Sequence, residues 1–189
     1  MSQTIQPAFI RPPYDALTIG LHWTTLALVV AQFATALSID HAPDADTAHL
    51  LLTTHRSAGV VLWVVVALRL IWRFTGMRLP PFPPKMGRLH VAGVHLSEYG
   101  LYGLLLLQPI TGMADSLLRG RAFDIFVWQV PILLGRDKAL AHLAHQTHMI
   151  GAYALLGLIV LHAGAALVHR YVLNDGVFEA MIGKTARPR

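Results

Sequence analysis

Residues 139–169 read ALAHLAHQTHMIGAYALLGLIVLHAGAALVH, and this stretch decides the fold. It runs thirty-one residues without an Asp, Glu, Lys or Arg. At about 1.5 Å per residue it is longer than a bilayer core of roughly 30 Å demands. It also opens on polar His142, His145, Gln146 and Thr147. The span is therefore placed at 148–171, and the turns before it read as surface helix.

The same criterion finds three more spans. Residues 16–39 carry no charged side chain. Residues 50–72 are interrupted only by Arg56 and Arg69, one near each end, and residues 91–115 only by Glu98 and, at the last position, Asp115. Composition agrees: the chain is 54% hydrophobic and 13% charged, where a soluble domain carries about 25% charge. That balance excludes a soluble globular enzyme and a disordered chain alike. Four spans in 189 residues leave room for one domain, 1–189, with an outer loop at 116–147. The expected fold is an all-α integral membrane four-helix bundle. The segment LPPFPP at 79–84 cannot be helix and reads as a connecting loop. No internal repeat or low-complexity tract is visible, and the first fifteen residues lack the apolar core of a removable signal peptide.

Orientation follows from Lys and Arg in the loops. One side holds Arg11, Arg69, Arg73, Arg78, Lys85, Arg88, Arg170, Lys184, Arg187 and Arg189. The other holds Arg56, Arg119, Arg121, Arg136 and Lys138, alongside six aspartates. Both termini are thus expected in the cytoplasm. The formal charge of +5 is mostly this topology signal, and no basic face remains for nucleic acid.

Eleven histidines and no cysteine stand in this oily chain. The missing cysteines exclude disulfides, thiolate iron–sulfur clusters and covalent c-type haem. Sorted by depth, His22 lies near the cytoplasmic end of span one and His55 near the outer end of span two. His148 opens span four at its outer end. His162 follows fourteen residues later, about 21 Å deeper and on the same helix face. Two levels result: His55 with His148 outside, His22 with His162 on the cytoplasmic side. Two imidazoles at each of two depths is what bis-histidine ligation of two b-type haems requires. A single intramembrane histidine is as readily a hydrogen-bonding partner of a neighbouring helix; four in matched levels favour ligation.

Gly59 and Gly151 stand about one turn from His55 and His148, and small residues there leave room for a flat macrocycle. Arg69, fourteen residues after His55, reaches the cytoplasmic level, where it suits either a haem propionate or simple snorkelling. His169 is seven after His162, and suits either protonating a quinone or an ordinary interfacial place. His41 and His49 read as outer-loop residues, and His90 and His95 flank the start of span three. The pattern H-x-x-H-x-x-H at 142–148 spreads across a helix side and reads as a polar interfacial face.

Taken together these pieces resemble the bacterial cytochrome b561 family. The matching residues are Leu21-His22-Trp23, His55-Arg56-Ser57-Ala58-Gly59, Leu68-Arg69-Leu70, PITG at 109–112, His148, His162 and ALVHRY at 166–171. One departure stands in span three, where Glu98 precedes Tyr102 by four residues and the family often has histidine. The resemblance implies two b haems in the bacterial inner membrane, ligated by His22, His55, His148 and His162, with ubiquinone as electron acceptor or donor. Some members are similar to superoxide oxidase. On that reading superoxide, a small anion, needs positive charge near the outer haem. Arg56 is the best placed residue, with Arg119, Arg121, Arg136 and Lys138 adding to the field. The apolar segment 122–134 is expected to lie over the outer end and shield the haem. A quinol-linked carrier serving a protein partner without superoxide chemistry is the alternative within redox. A haem-free, His-rich metal-binding membrane protein is the alternative outside it.

Overall fold

The computed structural model describes residues 11–84 and 86–185. Lys85, Arg187 and Arg189, counted above in the charge balance, lie outside them. The four predicted spans are four long helices: α1 (Ala16–Ile39), α2 (Ala45–Thr75), α3 (Arg88–Leu118) and α4 (Lys138–Val168). Each is long and apolar enough to cross a membrane, and the chain is a four-helix membrane bundle. A π-helical turn (His169–Leu173) extends α4, and a short α5 (Val177–Met181) follows.

Three helices begin or end well beyond the spans that hydropathy marks. Helix α2 starts at Ala45 because the Asp44 carboxylate accepts the Thr47 backbone N–H at 2.7 Å, satisfying a donor that a helix start leaves open. That hydrogen bond holds the Asp44 carboxyl below the usual carboxylate range. His49 is consequently a helix residue and not a loop residue. Helix α4 starts at Lys138, capped by Asp137 on the N–H groups of Ala139 and Leu140. The expected surface helix and the fourth span are thus one continuous helix. Helix α3 begins at Arg88, so Glu98 sits three turns inside it rather than near its start.

What remains of the long outer loop is residues 119–137, and it is not irregular. Within it β1 (Phe123–Ile125) pairs antiparallel with β2 (Trp128–Val130), Phe123 facing Val130. The Phe126 N–H donates to Ser57 Oγ at 2.7 Å, which bolts this hairpin to α2. The N-terminal segment, the Pro-rich connection and α5 gather at the opposite end. There Arg11 donates to the Pro81 carbonyl, and the Tyr14 N–H to the Ala180 carbonyl at 3.1 Å.

Helix α1 packs along α2, α3 along α4, and α2 against α3. The core lies where they meet, with Val29, Leu62, Val66, Tyr102, Leu105 and Leu155. The outward faces carry Val30, Leu37, Ile71 and Leu161, all more than half exposed. A soluble protein does not leave so much apolar surface to water; here lipid covers it. Helix α4 makes no comparable packing with α1 or α2, and that separation positions the site.

Candidate haem-binding site

All four depth-sorted histidines bridge the opening between α4 and the α1–α2 pair. The ring centroids of His55 and His148 lie 6.2 Å apart, and those of His22 and His162 lie 6.3 Å apart. Two imidazoles holding one metal at about 2 Å, each ring nitrogen about 1 Å from its ring centre, stand about 6 Å apart. Both pairs therefore have the spacing that an iron between two imidazoles needs. The residues present fit two haems.

The backing of the outer pair is repeated. His55 Nδ1 lies 3.2 Å from the Gln32 carbonyl and 3.1 Å from Thr35 Oγ1. His148 Nδ1 lies 3.0 Å from the Gln108 carbonyl and 3.2 Å from Thr111 Oγ1. In each case a Gln-x-x-Thr on the preceding helix receives the Nδ1–H. The proton is thereby fixed on Nδ1, and Nε2 is left with its lone pair free for a metal. This recurrence in the two hairpins of helices is too short to register as a sequence repeat. Gly59 and Gly151 serve the same device. A Cβ on Gly59 would lie 3.5 Å from the Gln32 amide, and one on Gly151 only 2.5 Å from the Gln108 amide. The room these glycines leave is taken by the glutamines behind the ligands. Gly112 closes the arrangement, since a Cβ there would come 3.1 Å from the His148 ring.

The inner pair is built differently. Arg69 Nη2 donates to His22 Nδ1 at 3.0 Å, and its guanidinium covers the buried Tyr102 ring at 5.4 Å. One turn on, Arg73 lies over the same ring at 5.8 Å and binds Glu98 at 2.8 Å. His95 is 3.7 Å from that carboxylate. Above them the Tyr14 phenol is pushed up by burial, with neighbouring Arg11 pulling it back.

The other predicted residues fall as follows. Arg56 is half-buried: its guanidinium lies over the Phe123 ring at 5.0 Å and its Nε donates to Ser116 Oγ at 3.1 Å. Arg119 is clasped by Asp115 through two bonds of 2.9 Å, so its charge is locally cancelled. His169 is 4% exposed, with Nδ1 2.6 Å from Asp175, and its ring lies 5.0 Å from that of His90. His49 pairs with Asp124 at 3.0 Å. His142 and His145 turn to Gln146 and Asp115. Among the described residues no three of His, Cys, Asp and Glu converge on one point. Gln32, Thr35, Gln108, Thr111 and Gly112 escape a sequence reading because their roles depend on which helix stands opposite, and Asp175 because the chain turns back after the π-helical turn to reach His169. The one available signal is the recurrence of Gln-x-x-Thr in two apolar helices.

A family profile described as prokaryotic cytochrome b561 matches residues 13–184. The chain is 29% identical over 171 residues to the probable superoxide oxidase CybB of Yersinia pestis, an alignment covering 90% of this chain and 96% of that one. It is also 29% identical to cytochrome b561 homolog 2 of Escherichia coli over 177 residues, 92% of this chain and 93% of the relative. With cytochrome b562 of Cereibacter sphaeroides it shares 28% identity over 184 residues, 95% and 98% of the two chains.

Proposed function

The chain belongs to the prokaryotic cytochrome b561 family, membrane electron-transfer proteins that bind haem b, and on that premise we propose that it carries two b haems and acts as a superoxide:ubiquinone oxidoreductase of the bacterial inner membrane. The observation that carries this reading is the pair of imidazole–imidazole separations, 6.2 and 6.3 Å, at two levels of one bundle. Bound haem supplies one-electron redox chemistry, and the protein supplies position and field. In balance, two superoxide anions each lose an electron and become dioxygen. One ubiquinone gains both electrons and two protons and becomes ubiquinol.

His55 and His148 would hold the outer iron and His22 and His162 the inner one. The Gln32 and Gln108 carbonyls orient the outer imidazoles. Arg69 would be released from His22 were the inner site filled. A histidine that binds metal through Nε2 carries its proton on Nδ1, so His22 can then no longer accept from Arg69. The guanidinium would then be available to a haem propionate. Superoxide is drawn to the hairpin end by Arg56, with Arg121, Arg136 and Lys138. None of these four has a carboxylate in ion-pair reach among the described residues. Arg119 drops out of that set because Asp115 holds it. At the opposite end His169, braced by Asp175, handles the proton for the quinone. Both termini lie on that cytoplasmic side.

Purified protein mixed with a superoxide source and ubiquinone tests this reading. Haem reduction followed by ubiquinol formation is expected. Arg56→Gln should slow it several-fold and flatten its salt dependence. Haem reduced by ubiquinol or a protein donor but inert to superoxide would establish the quinol-linked carrier instead.

A further inference from the structure

We propose that Glu98 sets the charge at the inner haem site by cancelling Arg73, leaving Arg69 as the arginine there without a protein carboxylate among the described residues. The proposal rests on the reading of His22 and His162 as haem ligands and deepens it. Two arginines one turn apart on α2 both reach this level, and both lie over the ring of Tyr102. They differ in their partners. Arg73 is bound to the Glu98 carboxylate at 2.8 Å, with its side chain only 6% exposed. Arg69 has no carboxylate in ion-pair reach among the described residues and donates to His22 instead.

The repeated architecture explains why an acid can stand there. Gln32 with Thr35 on α1 corresponds to Gln108 with Thr111 on α3. At the same offset His22 on α1 corresponds to Glu98 on α3. His55 and Arg69 on α2 correspond in the same way to His148 and His162 on α4, each pair fourteen residues apart. Four equivalent positions thus face the inner level: His22, Arg69, Glu98 and His162. Two are the proposed ligands and one is the arginine without a protein carboxylate among the described residues. Glu98 is the fourth, and its carboxylate is taken up by Arg73.

A charge this poorly exposed is weakly screened. Reduction adds an electron at the inner site, so an uncancelled Arg73 would favour the reduced form. Glu98 is therefore a positioning residue that keeps the inner centre from becoming too easily reduced. It holds the inner potential low enough for the electron to pass on to an acceptor.

Redox titration of the haem-loaded protein, with the two centres resolved by their spectra, tests this directly. Glu98→Gln should raise the midpoint of the inner haem and leave the outer one at its wild-type value. Removing Arg73 as well, in Glu98→Gln with Arg73→Met, should return the inner midpoint toward wild type. An inner midpoint unmoved by Glu98→Gln overturns the proposal. So does an equal shift of both centres, or a raised midpoint that persists in the double variant. A protein without haem, or an inner centre indifferent to replacement of His22 and His162, refutes the ligand reading on which the proposal rests.

Discussion

A methyl group added to Gly112 would stand 3.1 Å from the His148 ring, whereas one added to Gly59 would stand 3.5 Å from a glutamine amide. The first distance is tighter than ordinary van der Waals contact and the second is ordinary. The His148 ring cannot step aside freely, because its Nδ1 is held by the Gln108 carbonyl and Thr111. Gly112→Ala is therefore expected to cost about 1–3 kcal/mol through overpacking and to perturb the outer haem spectrum, although neither ligand is touched. Gly59→Ala should leave that spectrum intact and raise stability by up to about 1 kcal/mol through helix propensity. Absorbance spectra and thermal unfolding in detergent check both. Equal effects of the two substitutions would contradict the distinction between contact with the His148 ring and contact with the Gln32 amide. At this scale the pairing of His55 with His148 and of His22 with His162 was legible in advance, since the four declare their depth by counting along a helix. Gly112 was not, because its importance comes from a ring on another helix.

Between the outer loop and α2 the structure departs furthest from what residues 122–134 suggest. That segment reads as an apolar cover, and no Asn-Gly or Gly-X pair announces a tight hairpin turn. The turn is made instead by Phe126 at φ 55°, in the left-handed region, a conformation that costs a bulky residue about 1–3 kcal/mol. The bond from its N–H to Ser57 Oγ helps to hold it, as does the Arg56 guanidinium stacked on Phe123. Ser57 is itself anchored through its own donation to the Thr53 carbonyl at 2.7 Å. Ser57→Ala should then leave the Phe126 amide unpaired, at about 1–3 kcal/mol. Hydrogen exchange is expected to accelerate across 122–130 while haem content is unchanged. Exchange at the Phe126 amide as slow as in the wild type would contradict this. The starts of α2 and α4 were legible in principle. Asp44 and Asp137 stand immediately before them as capping residues, but hydropathy alone places each span deeper.

Across the whole molecule, the order of the spans was written in the uncharged stretches, and the two-level arrangement in four histidine positions. What the chain does not display linearly is which helices separate. The gap between α4 and the α1–α2 pair arises because α4 packs on α3, and only that gap brings His22 to His162 and His55 to His148. Nor does the Arg73–Glu98 pair show itself, its members lying twenty-five residues apart on different helices. The central claim is that these two openings are two haem sites. It is tested most directly by the reduced-minus-oxidised spectrum of the purified protein, read together with its haem-to-protein ratio. Two b haems per chain are predicted. Replacement of His55 or His148 should remove the outer centre, and replacement of His22 or His162 the inner one. A preparation with no Soret band, or one saturating at a single haem that survives loss of either pair, would contradict the account.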